Sequence, residues 1–113
     1  LTVFGDGSQT RSFCYVDDLI EAIIRIVAPG VHVGPINLGN PNEVTVLQLA
    51  NMIISLTASK SQLQFQELPQ DDPIARRPAI QLATDSLGGW VPAISLEEGL
   101  KKTIAYLQRE LRL

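Results

Sequence analysis

Apolar residues recur along this chain in runs whose period changes, and each change marks an element. Leu1-Thr2-Val3-Phe4 is a short β-prone run, and Gly5-Asp6-Gly7-Ser8 is a turn cluster, so a strand is expected to enter a tight loop. Arg11 to Val16 alternates polar and aromatic residues. Asp17 or Asp18 can then cap a helix, with Glu21 three residues after Asp18 to complete a capping box, and the helix should run to about Val27. Its residues Leu19, Ile20, Ala22, Ile23, Ile24, Ile26 and Val27 are apolar nearly all round, so it is expected to be covered on more than one side. Pro29-Gly30 ends it. Pro35 to Gly39 reads as a short buried strand stopped by Asn40-Pro41-Asn42. Thr45 with Gln48 forms a second capping box before a broad apolar face from Val46 to Leu56, and Leu63 to Leu68 alternates as a half-buried strand. Pro69, Pro73 and Pro78 then impose an extended loop carrying Asp71, Asp72, Arg76 and Arg77. Ser95 with Glu98 is a third capping box, and Leu96, Leu100, Ile104, Leu107 and Leu111 stripe a terminal helix.

Helix, turn and strand in succession give a βαβ-type rhythm. The expectation is a single α/β unit over residues 1–113, with three main helices and an incomplete sheet, and without repeats or interdomain linkers. Composition agrees: 45% hydrophobic and 19% charged residues are ordinary for a chain that packs a core. A net charge of −3 gives no electrostatic footprint for nucleic acid or an anionic membrane, so neither is expected as a partner and an anionic ligand must be held locally. No apolar run approaches the roughly 20 residues of a membrane-crossing helix. The single cysteine, Cys14, cannot form an internal disulfide, so the cytoplasm is the default compartment. The chain opens at Leu1, directly on a strand, and is read as starting within a fold.

Metal chemistry is not expected, since His32 is the only histidine and makes no ligand set with Cys14. Cys14 has no histidine partner to make it a nucleophile. Gly5-x-Gly7 lacks a third glycine at the right offset and leads into another strand, so it does not match the turn that holds a dinucleotide pyrophosphate.

Three segments together resemble the extended short-chain dehydrogenase/reductases that modify nucleotide sugars. The first is Val3-Phe4-Gly5-Asp6-Gly7-Ser8-Gln9-Thr10-Arg11 with Tyr15-Val16-Asp17-Asp18, which is similar to the family's glycine turn, arginine and helix entry. The second is Pro35-Ile36-Asn37-Leu38-Gly39-Asn40-Pro41. The third runs from Asp71-Asp72-Pro73 through Arg76-Arg77-Pro78 to Gly89-Trp90-Val91-Pro92 and Ser95 to Leu100, and it looks most like the UDP-glucuronate decarboxylase branch. The resemblance spans the chain but matches only the carboxy-terminal, substrate-binding part of a Rossmann-type enzyme. It implies that the amino-terminal, NAD-binding Rossmann half is missing here. The family's catalytic Tyr-x-x-x-Lys pair is missing too, since Leu19 follows Tyr15 and Glu110 follows Tyr106 at that spacing. No catalytic residue is therefore expected in this chain. Phe4 replaces the family's usual tyrosine, Ala79 replaces an aspartate, and Gly88-Gly89 looks like a one-residue insertion.

The resemblance implies a UDP-sugar site. Arg11, after the glycine turn, could hold a diphosphate with its guanidinium fork, or pair with Asp6 or Asp17 instead. Arg76 is favoured over Arg77 for a second phosphate contact, against a self-contained salt-bridge cluster with Asp71 and Asp72. Asn37, inside an apolar strand, must have partners, either nucleotide or backbone. Val3 and Phe4, with Leu1 and Thr2, would lie by the base. Tyr15 could touch the cofactor edge or pack in the core together with Phe13. Trp90 is expected to anchor the loop to the terminal helix. The implied whole enzyme is a cytoplasmic homodimer that uses NAD to oxidise the sugar at C4, loses the C6 carboxylate as CO2 and re-reduces C4 to give UDP-xylose. Two rivals stand beside it: a dTDP-glucose 4,6-dehydratase or nucleotide-sugar epimerase with the same shell, and a non-catalytic module binding nucleotide or protein. An uncovered helix at residues 19–27 would promote self-association.

Overall fold

The computed structural model describes residues 1–31 and 34–112. The expectation about His32 lies outside the described residues. Among the described residues there are two small sheets and four helices, joined by loops. Strand β1 (Thr2–Phe4) pairs in parallel with β4 (Gln64–Gln66), Val3 opposite Phe65. Strand β2 (Thr10–Ser12) pairs antiparallel with β3 (Glu43–Thr45), Arg11 opposite Val44. The helices are α1 (Val16–Ile26), α2 (Val46–Thr57), α3 (Gln81–Ser86) and α4 (Leu96–Glu110).

The α/β expectation holds, and the three main helices are α1, α2 and α4. Helix α2 starts as its sequence dictates: the Thr45 hydroxyl accepts from the Gln48 amide at 3.0 Å, and the Gln48 side chain accepts from the Thr45 amide at 2.9 Å. Ser95 accepts from the Glu98 amide at 3.2 Å to start α4, so one side of that box is made. The box expected at α1 is not used. That helix begins at Val16 without a side-chain cap, because the buried Asp18 carboxylate instead accepts the amides of Ala93 and Ile94 at 3.0 and 2.9 Å. One carboxylate thereby ties α1 to the loop before α4.

The core is small. Ala22, Ala83, Leu87 and Trp90 are buried together, with Ile26, Val31, Ile36, Leu38 and Ile80 packed around them. Ala22 of α1 and Ala83 of α3 share this cluster, and the indole N–H of Trp90 donates to the Asp18 carbonyl at 3.1 Å. Trp90 therefore anchors its loop to α1 rather than to the terminal helix. Arg25 adds a second tie, donating to the Leu87 carbonyl at 2.7 Å where α3 ends.

Two strand expectations are corrected. Residues 35–39 form no strand, because no described strand runs beside them to share a ladder, and Ile36 and Leu38 are shielded by the core instead. Strand β4 is exposed throughout rather than half-buried, since it meets only β1. Among the described residues no helix is long and apolar enough to cross a membrane.

Candidate functional site: an arginine cleft

Strand β2 and the proline loop after β4 build the site. Pro69, Pro73 and Pro78 keep that loop from coiling into a helix, and the Thr10 amide donates to the Ile74 carbonyl at 2.9 Å, which docks the loop on β2. Arg11 reinforces the dock. Its Nη2 donates to Asp72 Oδ1 at 2.6 Å, and its Nη1 donates to the carbonyls of Pro73 at 2.8 Å and Thr10 at 2.7 Å. The expected partners Asp6 and Asp17 are not the ones used. Asp6 instead accepts from Ser8 within the glycine turn, and those hydrogen bonds hold its carboxyl below the usual carboxylate range.

An open cleft of about 610 Å3 lies beside Arg11, lined by Ser12, Asn37, Arg76 and Arg77 among others. Arg76 and Arg77 are exposed, and among the described residues neither has a carboxylate within ion-pair distance. The salt-bridge cluster considered for this loop is thus reduced to one pair, Arg11 with Asp72, at a side-chain exposure of 20% and 28%. Three guanidinium groups against one carboxylate leave the cleft electropositive in a chain whose net charge is −3. Such a cleft suits a multiply charged anion, because guanidinium forks match phosphate oxygens two at a time.

Asn37 lines this cleft but is exposed, so the argument that burial obliges it to have an internal partner is corrected: with no strand there, its amide faces open space. Ser12 was not singled out from the sequence. It lines the cleft too, and its Oγ is the one buried side-chain polar atom among the described residues without a hydrogen-bond partner. At the back, a Cβ on Gly39 would stand 2.9 Å from Pro78 Cγ, so glycine allows the 36–39 segment to close against the proline loop.

The other expected residues lie elsewhere. Val3 is buried and Phe4 exposed on β1, and neither lines the cleft. Tyr15 packs on α4, where a Cβ on Gly99 would meet its ring at 3.1 Å and Lys102 lies 5.5 Å from the ring centre. With Phe13 and Cys14 it floors a separate apolar groove of about 230 Å3 between α2 and α4. Burial, aided by the nearby Asp18 charge, pushes the Cys14 thiol up, away from the reactive thiolate.

Known proteins share this fold. Residues 1–39 match the NAD dependent epimerase/dehydratase family. UDP-glucuronic acid decarboxylase 1 of Danio rerio is 51% identical over 98% of this chain and 26% of its own length. UDP-glucuronic acid decarboxylase 2 of Arabidopsis thaliana is 47% identical over 88% of this chain and 22% of its own length. The chain thus spans about a quarter of the curated relatives it matches. UDP-glucose 4-epimerase from Thermotoga maritima, solved with UDP-glucose, superposes with a TM-score of 0.89 at 31% identity, covering 98% of this chain and 35% of that one. UDP-glucuronic acid 4-epimerase from Bacillus cereus, solved with UDP-glucuronic acid and NAD, gives 0.85 at 28%, covering 97% and 35%. The arginine cleft is thus carried on a fold shared with these epimerases, while residues 1–39 match the NAD dependent epimerase/dehydratase family and the sequence is similar to that of UDP-glucuronic acid decarboxylases.

Proposed function

We propose that this chain is the carboxy-terminal, nucleotide-sugar-binding portion of an NAD-dependent UDP-glucuronate decarboxylase that makes UDP-xylose, and that it is inactive alone. The observation that carries this reading is the convergence of Arg11, from a strand near the start of the chain, with Arg76 and Arg77, from the proline loop, on one open cleft. The names of the relatives supply the sugar, and the cleft supplies a seat for the diphosphate. Arg11 and Arg76 bind the diphosphate in this reading, while Asn37 and Ser12 offer neutral hydrogen-bonding groups beside it.

The glycine turn of this chain does not fit a dinucleotide pyrophosphate. Above the glycine turn a Cβ on Gly7 would meet Leu47 Cβ at 2.9 Å and Val3 Cγ1 at 3.0 Å, so packed side chains fill the space where a pyrophosphate cradle would have to be. Tyr15 is held against α4. The cofactor and the catalytic Tyr-x-x-x-Lys pair are therefore assigned to a Rossmann part outside these 113 residues. A cytoplasmic, homodimeric whole protein is part of the same proposal, supported by the family resemblance.

The test is to incubate the full-length protein with NAD and UDP-glucuronate labelled in its carboxylate. Release of labelled CO2 with a UDP-pentose product, and no net change in the redox state of NAD, is the expected result. Retention of the label in a C4 epimer would replace the reading with the epimerase rival. Nucleotide binding without turnover would favour the non-catalytic module.

A further inference from the structure

We infer that Asp72 is a positioning residue for the diphosphate site: it acts through Arg11, fixing the plane of that guanidinium while leaving part of its fork for ligand. The inference rests on the proposed nucleotide-sugar reading and adds to it a residue that touches no ligand itself. A guanidinium carries five N–H donors. In this structure the Thr10 and Pro73 carbonyls take the two on Nη1, and Asp72 Oδ1 takes one on Nη2. The Nε donor and the second Nη2 donor are left, on a side chain that lines the cleft.

The same contact settles where the other arginines stand. Asp72 and Pro73 grip Arg11, and Ile74 bonds the neighbouring Thr10, so the loop is docked immediately before Arg76 and Arg77. The carboxylate also offsets one of the three positive charges of the ligand-free cleft, which lets the guanidinium groups converge before any anion arrives. Asp72 adds a repulsive term toward a diphosphate as well. Geometry outweighs that term, because two charge-assisted donors held on target gain more from a multiply charged anion than one partly screened carboxylate costs.

Titration calorimetry of the full-length protein with UDP separates these effects. Asp72→Ala removes the acceptor and is expected to weaken UDP binding at least fivefold. Asp72→Asn keeps an oxygen for Arg11 Nη2 while discharging the group, and is expected to bind within twofold of the unmodified protein or more tightly. In an Arg11→Ala background, Asp72→Ala is expected to change the affinity by less than twofold, since the residue acts through Arg11. The inference is overturned if Asp72→Ala binds UDP as the unmodified protein does, if Asp72→Asn is as weak as Asp72→Ala, or if the full loss persists without Arg11. An unmodified protein that ignores UDP overturns the nucleotide reading itself, and this inference with it.

Discussion

Single side chains in this protein are explained by the bonds left open to them. Ser12 Oγ is buried without a partner, and an unmet buried hydroxyl costs on the order of 1 kcal/mol or more. Ser12→Ala should therefore raise the stability of the ligand-free protein by up to about 1 kcal/mol, read from its urea midpoint. In the same variant UDP affinity should fall, by roughly threefold to tenfold, as expected for the loss of one hydrogen bond to an anion. A Ser12→Ala protein that is both less stable and unchanged toward UDP would remove this serine from the site. Arg11 and Arg76 were legible because a fixed cation after a glycine turn or in a proline-stiffened loop has few uses. Ser12 was not, since nothing in Thr10-Arg11-Ser12 tells a solvated hydroxyl from an orphaned one. Asp18 misled for a related reason: at a helix start a carboxylate looks like a cap, and only the distant amides of Ala93 and Ile94 show that it is engaged elsewhere.

Elements whose signals are local were read from sequence, and those that depend on a neighbour were not. The starts of α2 and α4 are fixed within four residues each, by Thr45 with Gln48 and by Ser95 with Glu98. Their caps differ in completeness, which separates two variants. Thr45→Ala loses the hydroxyl half of a reciprocal box, leaving the Gln48 side chain on the residue-45 amide, and should cost about 1–2 kcal/mol, whereas Ser95→Ala loses a longer bond and should cost about 0.5–1 kcal/mol. Urea denaturation of the two variants, at an unchanged slope, checks the order. An Ser95→Ala loss equal to or greater than the Thr45→Ala loss would mean that Glu98 closes its box in solution. Strand status, by contrast, belongs to pairs. Residues 35–39 have a strand's composition without a ladder partner, while Glu43–Thr45, of which the sequence marks only Thr45 as a helix cap, becomes β3 because β2 lies beside it. Helix α3 escaped notice because six residues are too few for an apolar period to show.

At the scale of the whole molecule, the 113 residues spread more than their mass warrants. A folded chain of 12.3 kDa is expected to expose about 6100 Å2 and to have a radius of gyration of about 13 Å, against 7900 Å2 and 16.7 Å here. The molecule is a slab, 51 × 37 × 18 Å, and among the described residues Val3 is the only large side chain that is fully buried. Part of the excess is one apolar face: Val16, Ile20, Ile23, Ile24 and Val27 of α1 and its end are all exposed, Val27 by 74%. The near-continuous apolar character of this helix, legible from the start, thus has one side answered by the small core and the other left open. Water does not tolerate such a face on a monomer at high concentration, because pairing two copies removes several hundred Å2 of apolar surface without breaking a hydrogen bond. The isolated chain should therefore self-associate, with a weight-average mass by multi-angle light scattering that rises with concentration. Ile24→Lys together with Val27→Glu, placed on that face and away from the Ala22 side, should lower the mass toward 12.3 kDa without loss of helical circular dichroism. A chain that stays monomeric into the hundred-micromolar range would show that the slab covers α1 in solution by rearranging, and the exposed face would then no longer explain its excess surface.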